Sequence, residues 1–196
     1  GIRDVLVSRG LGDVYKRQCR YYVLLCDGMG TGLGAADEGN TAALLLQRLL
    51  EAGFPAQYAL RSLNSLCALR ELPGAATVDL AELELDSGRG TLYKWGAAPS
   101  YFITRAGTEK IGTAGAPPGL SVTDGRETSD RLSLRRGETL VLVSDGAGGE
   151  DALLRCEVAP DAPLGETARA FLERGEGDTD DATALAVRLA LLNPAT

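Results

Sequence analysis

The chain has 196 residues, 44% of them hydrophobic, and its 20 Lys and Arg against 27 Asp and Glu give a net charge of -7. This length suits one globular domain with a single core, and the negative charge argues against nucleic acid as a partner. The sequence contains no histidine, which excludes a Ser-His-Asp triad and any histidine-ligated metal site. Any metal must therefore be bound through oxygen or sulfur.

Residues 1–18 are basic, weakly periodic and unlike the sequence that follows. We interpret this segment as a foreign leader or a damaged first strand. The predicted domain then occupies residues 19–192, and residues 193–196 form a tail.

The first half of the domain predicts a strand followed by two helices. The apolar run 21–26 ends at Asp27-Gly28, which is typical of a buried strand entering a tight turn, here residues 27–34. Leucines at helical spacing predict a helix over 35–51, and a second helix follows Pro55. The two helices form a predicted hairpin.

The second half alternates with period two and predicts strands at 78–85, 91–95, 101–104, 139–144 and 185–191. A slip between Leu80 and Leu83 predicts a bulge in the first of these strands. Residues 86–90 are predicted as a turn, 112–119 as a loop and 163–173 as a helix. Because the strands are grouped rather than alternating with helices, the pattern favours an α+β sandwich over a doubly wound sheet.

The four cysteines contain no C-x-x-C pair, and no cysteine is followed by arginine at the spacing that cysteine-dependent phosphatases use. Cys26 and Cys67 lie in apolar runs and are predicted as core residues. No stretch approaches the roughly 20 apolar residues of a membrane span, and the N-terminal residues lack the apolar core of a secretory signal. We expect a cytoplasmic domain.

Three aspartate-containing turns adjoin predicted strands: Asp27-Gly28, Asp145-Gly146 and Asp180-Asp181. Each alone is a common turn or a solvated acidic pair. Gathered at one edge of a sandwich, three carboxylates would repel one another unless a cation compensates their charge. An oxygen-only site of this kind suits Mg²⁺ or Mn²⁺.

These three turns, in this order, resemble the metal-binding motifs of the protein phosphatase 2C-like (PPM) class. Further segments resemble the phosphatase domain of the stage II sporulation protein E family; they are Asp27 to Gly32, residues 45–54, residues 62–66, Thr77-Val78-Asp79-Leu80, residues 96–102 and Gly119. The resemblance implies a PPM-type phosphatase fold, which is a two-sheet antiparallel β-sandwich flanked by helices, with two Mn²⁺ or Mg²⁺ ions at one edge.

The resemblance also implies roles for individual residues. Asp27 would bridge the two ions, the Gly28 carbonyl would complete one coordination shell, and Asp145 and Asp180 would hold the other ion. Asp181 would support the site without binding metal. A metal-bound water held by Asp27, Asp145 and Asp180 would attack phosphorus without a covalent intermediate.

The family carries a further Gly-Asp on the preceding strand, and Gly12-Asp13 imitates it. The gap from Asp13 to Asp27 is a few residues short for a hairpin, which counts against Asp13 as a ligand. A missing first strand would impair the metal site.

The resemblance implies that the helical hairpin of residues 35–69, from Ala35 to Leu69, is a regulatory switch that moves the metal-binding loop. The alternative is that the hairpin only packs on the sheet. The expected substrate is a phosphorylated anti-anti-sigma factor, whose release activates a sporulation sigma factor. A second copy of the chain is a further candidate partner, and membrane helices are expected only in a longer, membrane-anchored bacterial parent protein.

Three alternatives remain at this point. Gly30-x-Gly32-x-x-Ala35, with Glu51 placed for a ribose contact, is a weak dinucleotide-binding fingerprint. Asp178-x-Asp180 imitates a haloacid-dehalogenase motif but precedes its strand instead of following it. A catalytically impaired phosphatase fold acting as a docking module is the third alternative.

Overall fold

The computed structural model describes residues 5–9, 20–30, 33–70, 76–112, 114–120, 129–173 and 182–189, the first of these ranges by its backbone alone. Nine strands lie in these ranges: β1 Val5–Arg9, β2 Arg20–Gly28, β3 Ala76–Glu84, β4 Arg89–Trp95, β5 Ser100–Thr104, β6 Gly107–Ile111, β7 Ser129–Ser133, β8 Thr139–Val143 and β9 Ala184–Val187. The helices are α1 Leu33–Glu51, α2 Ala56–Leu69, α3 Glu150–Leu154 and α4 Leu164–Leu172.

The strands form a five-stranded sheet in the order β1-β2-β3-β4-β7 and a four-stranded sheet in the order β6-β5-β8-β9. Every pairing between strands that the structure describes is antiparallel. The predicted two-sheet sandwich with flanking helices is therefore confirmed. A dinucleotide-binding domain needs a parallel sheet, so that alternative is wrong.

Three apolar clusters hold the layers together. The hairpin α1 and α2 packs on the outer face of the five-stranded sheet, around Leu46, Leu60 and Leu80. The two sheets meet through a second cluster, and α3 and α4 cover the outer face of the four-stranded sheet around Phe171. Cys26 is buried as predicted, and Cys67 packs half-buried against the first cluster.

The predicted bulge in β3 is wrong, because β3 pairs with β2 without interruption from Ala76 to Glu84. The apolar slip has another cause: Leu80 faces the helices while Ala81 and Leu83 face the other sheet, so both faces of β3 are buried. The predicted turn over 27–34 is also too long, since β2 continues through Gly28 and α1 begins at Leu33.

Strands β6 and β7 and the short helix α3 were not predicted. Strand β1 lies within residues 1–18 and pairs with β2 through its backbone. The division of the chain at residue 18 stays a prediction. None of the helices among the described residues is long and apolar enough to cross a bilayer.

Candidate metal centre

Asp27 is held at the end of β2 by close packing against α1. A Cβ added at Gly28 would lie 1.6 Å from the carbonyl oxygen of Ala35, and one added at Gly39 would lie 2.9 Å from the backbone nitrogen of Gly28. Neither position has room for a side chain. The two glycines therefore let the start of α1 rest on the end of β2, which fixes the half-buried Asp27.

Asp145 reaches the same region from the other sheet. It follows β8 and Ser144 in a single 3₁₀ turn, Asp145–Ala147, whose Ala147 is buried. The Gly146 N–H donates a hydrogen bond to Asp145 Oδ1 at 3.0 Å. The strand end and this turn together aim an exposed carboxylate at the edge of the sandwich.

Asp27 and Asp145 line one cleft at this edge, so the structure brings together two residues that are far apart in the sequence. The cleft lies between the ends of β2, β3 and β8 and the connection from β4 to β5; its lining residues are Leu25, Asp27, Thr77, Asp79, Gly96, Ala97, Ala98, Val143, Ser144 and Asp145. The metal-binding roles of Asp27, Gly28 and Asp145 stay predictions.

Asp13, Asp180 and Asp181 lie outside the described residues, as does Asp178 of the haloacid-dehalogenase alternative. A residue close to Asp181 in the sequence is nevertheless hydrogen-bonded to a residue that lines the cleft. The Ser144 N–H donates to the Thr183 carbonyl at 2.9 Å, and the Thr183 N–H donates to Ser144 Oγ at 2.9 Å. Thr183, two residues after Asp181, is thus anchored beside the residue that precedes Asp145.

A buried ion pair that the sequence analysis did not identify adjoins these aspartates. Lys94 Nζ donates hydrogen bonds to Asp79 Oδ2 and, at 2.8 Å, to Ser100 Oγ. Ser100 Oγ donates in turn to Asp79 Oδ2 at 2.9 Å. All three residues are fully buried, and they join the five-stranded sheet to the first residue of β5 in the four-stranded sheet.

Strand register explains this placement. Asp27 lies opposite Thr77 on β3, and Asp79 lies two residues further along the same strand, so Asp27 and Asp79 share a face. Lys94 lies opposite Asp79 on β4. The sequence does contain a signal for this ion pair, because each of two paired strands carries a charged residue at an inward-facing position. Inward charges are rare unless they are paired.

The surroundings shift the pKa values of two groups here. Burial raises the pKa of the Asp79 carboxyl, while the charge of Lys94 and the hydrogen bonds from Lys94 and Ser100 act against this rise. Burial, with the negative charges of Asp79 and Asp27, raises the pKa of the Cys26 thiol well above its usual value. Cys26 is a buried core thiol that packs in the cluster between the five-stranded sheet and the helical hairpin.

The side chains of the cleft fit a hard divalent cation. Asp27 and Asp145 supply carboxylate oxygen atoms, and one further buried carboxylate oxygen, Oδ1 of Asp79, has no hydrogen-bond partner among the described residues. Within those residues no three Asp, Glu or Cys side chains are grouped closely enough to hold a metal. A complete ligand set would need a residue from outside them, as the predicted role of Asp180 requires.

Two antiparallel sheets covered by helices match the fold of the PP2C phosphatase domain of SpoIIE. Residues 17–190 match the family model of stage II sporulation protein E (SpoIIE). The chain therefore belongs to the SpoIIE family. Membership of this family supports a phosphatase role.

Stage II sporulation protein E of Bacillus subtilis (strain 168) is 30% identical over 129 residues, which make up 65% of this chain and 15% of that protein. The structure of the PP2C phosphatase domain and a fragment of the regulatory domain of SpoIIE from Bacillus subtilis matches with a TM-score of 0.78 at 24% identity, covering 95% of this chain and 58% of that one. RsbX in complex with magnesium matches with a TM-score of 0.66 at 12% identity, covering 93% and 92%. At these identities the two structures show the shared fold.

Proposed function

We propose that this chain is a Mn²⁺- or Mg²⁺-dependent protein serine/threonine phosphatase domain. The observation that carries the proposal is the meeting of Asp27 and Asp145, one from each sheet, in a single cleft. Family membership supports the same activity. The reaction is hydrolysis of a phosphoserine or phosphothreonine ester to a hydroxyl and inorganic phosphate.

We propose that Asp27, Gly28 through its carbonyl, Asp145 and Asp180 hold two cations, with Asp181 supporting them. The magnesium complex of RsbX, a protein of the same fold, agrees with this cation chemistry. When bound, divalent cations lower the pKa of coordinated water and neutralise phosphate oxygens. The protein contributes a cleft in which α1 packs against the strand end that carries Asp27 and a 3₁₀ turn presents Asp145.

The substrate we propose is a phosphorylated anti-anti-sigma factor, and its dephosphorylation would activate a sporulation sigma factor. Support comes from membership of the SpoIIE family, since the side chains of the cleft do not identify a protein partner. The chain spans 15% of the length of its Bacillus subtilis relative. We propose that it is the cytoplasmic phosphatase domain of a longer, membrane-anchored protein, with its limits at residues 19–192.

We also propose that the hairpin of residues 35–69 regulates the cleft. The hairpin meets the metal-binding strand directly, because Ala35 packs on Gly28. It also meets the loop after β6, since the Gly119 N–H donates to Asn64 Oδ1 at 2.8 Å. A displacement of the hairpin would therefore move Asp27.

Hydrolysis of p-nitrophenyl phosphate and of a phosphoserine-bearing anti-anti-sigma factor, with and without Mn²⁺, tests the function. We expect Mn²⁺-dependent turnover that Asp27→Ala and Asp145→Ala each reduce by roughly 100-fold or more, since each change removes a ligand from a site that stabilises charge in the transition state. Asp86→Ala is the matched control, because Asp86 is exposed in the turn at the other end of β3.

Activity that survives either site substitution, or that is indifferent to a chelator, would contradict the proposal. A folded wild-type chain that binds Mn²⁺ and the phosphoprotein but turns over neither substrate would instead favour a catalytically impaired docking module.

A further inference from the structure

Asp79, which lines the cleft, has one carboxylate oxygen without a hydrogen-bond partner in the described part of the chain. Oδ1 is buried and receives no hydrogen bond from any residue that the structure describes. Asp79 is 0% exposed and lines the cleft together with Asp27 and Asp145. A buried acceptor left unsatisfied destabilises the folded chain, and more so when it is charged. Because Asp79 lines the cleft, a donor or cation in the cleft is the candidate partner for this oxygen.

Two other buried polar atoms also lack partners among the described residues, Trp95 Nε1 and Tyr101 Oη. Both groups are neutral at pH 7, and neither residue lines the cleft. Asp79 differs from them in its acidic side chain and in its position beside the two aspartates proposed to bind metal.

Hydrogen bonds to Oδ2 fix the orientation of the Asp79 carboxylate. Lys94 and Ser100 both engage Oδ2, and fixing one oxygen of a planar carboxylate fixes the other. Gly112, at φ +84°, leaves space for the Lys94 side chain, because a Cβ there would lie 2.3 Å from Lys94 Cδ. The positive charge of Lys94 also offsets repulsion between Asp79 and its neighbouring aspartates.

We infer that Asp79 is a positioning residue of the metal centre, an inference that rests on the proposed metal-dependent phosphatase function. Its Oδ1 accepts a hydrogen bond from water that coordinates a cation held by Asp27 and Asp145, while Lys94 and Ser100 hold Oδ2. Hydrogen-bond partners of this outer kind orient the inner ligands of metal sites, and their loss weakens metal binding or activity by roughly 10–100-fold.

A pair of double variants separates this role from a purely structural one. Asp79→Leu with Lys94→Met replaces the ion pair by apolar side chains and leaves no uncompensated charge, so the fold is expected to persist. Asp79→Asn with Lys94→Met is equally uncharged but keeps a side-chain oxygen that can accept a hydrogen bond. Calorimetric titration with Mn²⁺ alone measures binding, circular dichroism checks folding, and turnover of p-nitrophenyl phosphate gives kcat and KM.

We expect Mn²⁺ to bind the leucine variant roughly 10–100-fold more weakly than wild type, and the asparagine variant to recover much of that loss. The decrease in turnover should lie in kcat rather than in KM. Equal Mn²⁺ affinities for the two folded double variants and wild type would overturn the inference while leaving the proposed function intact.

Ser100→Ala keeps the ion pair and loosens only the orientation of Asp79, so it provides a second measurement if the double variants do not fold. We expect a severalfold loss of Mn²⁺ affinity in this variant, and an unchanged affinity would overturn the inference. A wild-type chain that neither binds Mn²⁺ nor hydrolyses p-nitrophenyl phosphate would overturn the proposed function and this inference together.

Discussion

Two ion pairs of β3 lie on opposite faces of one sheet and differ in their contact with water. On the outer face, Arg20 Nη1 lies 2.8 Å from Glu82 Oε1, and the two side chains are 48% and 13% exposed. On the inner face, three residues away along the strand, the side chains of Lys94 and Asp79 are 0% and 1% exposed. The outer pair is partly hydrated, whereas the inner pair is enclosed between the sheets.

This difference shows that an ion pair indicates a specific role for its residues when it is buried. An exposed pair contributes about 0–1 kcal/mol, because water and salt already screen its charges. A buried pair loses the hydration of both charges and persists where hydrogen bonds compensate, as Ser100 does here. The inner pair therefore indicates a specific role at the cleft, while the outer pair is an ordinary surface feature.

Breaking the two ion pairs separately is expected to give the largest difference in the free energy of unfolding. Lys94→Met leaves the buried Asp79 carboxylate unpaired, so the free energy of unfolding should fall by about 3–5 kcal/mol. Arg20→Met, the matched control, should lower it by about 0–1 kcal/mol. Urea unfolding followed by circular dichroism measures both values. Similar losses from the two substitutions would contradict the distinction between the faces.

A smaller effect is expected where the cleft end of β2 meets α1. Gly28→Ala places a Cβ 1.6 Å from the Ala35 carbonyl oxygen, so the helix or the strand end must move, at a cost of about 1–3 kcal/mol in unfolding free energy. Mn²⁺ affinity should fall as well, since Asp27 moves with Gly28. The control is Gly34→Ala, where no atom lies within 4 Å of the added Cβ and a helical alanine is favoured. An unchanged stability of Gly28→Ala would rule out the tight contact.

The smallest effect on stability is expected from Tyr101, which follows Ser100 on β5. Tyr101 packs in the cluster on the outer face of the four-stranded sheet, where its ring centroid lies 5.5 Å from that of Phe171. Burial, and then the charge of Glu150, raises the pKa of Tyr101 to about 12 from 10.0. Above pH 10 the unfolded chain releases this proton while the folded chain retains it, so stability falls as the pH rises through the window up to about 12.

Tyr101→Phe should reduce the alkaline loss by the part that Tyr101 contributes and change stability at pH 7 by about 1 kcal/mol or less, since the hydroxyl has no hydrogen-bond partner among the described residues. Urea unfolding at neutral pH and at about pH 11, within the window set by the reference and shifted pKa values, measures the difference. The same alkaline decline in the variant and in wild type would refute the assignment to Tyr101.

The parts of the fold that were predicted correctly are those with a strong local pattern. Helix α1 was predicted to begin within two residues of its observed start at Leu33, because its leucines repeat at helical spacing. Strands β6 and β7 were missed because they are short and at the sheet edges, and among their residues Leu132 alone is fully buried. Such strands are ordered by backbone hydrogen bonds to a neighbour, which leave little trace in the sequence.

The sequence by itself determined that an aspartate and a glycine follow a buried strand, that a second Asp-Gly follows another, and that no histidine takes part. These are local or compositional facts. The tertiary structure alone decided that Asp27 and Asp145 share a cleft and that Asp79, Lys94 and Ser100 join beside them. The reason is physical: strand register and sheet packing set which side chains meet, and both depend on contacts between residues distant in the chain.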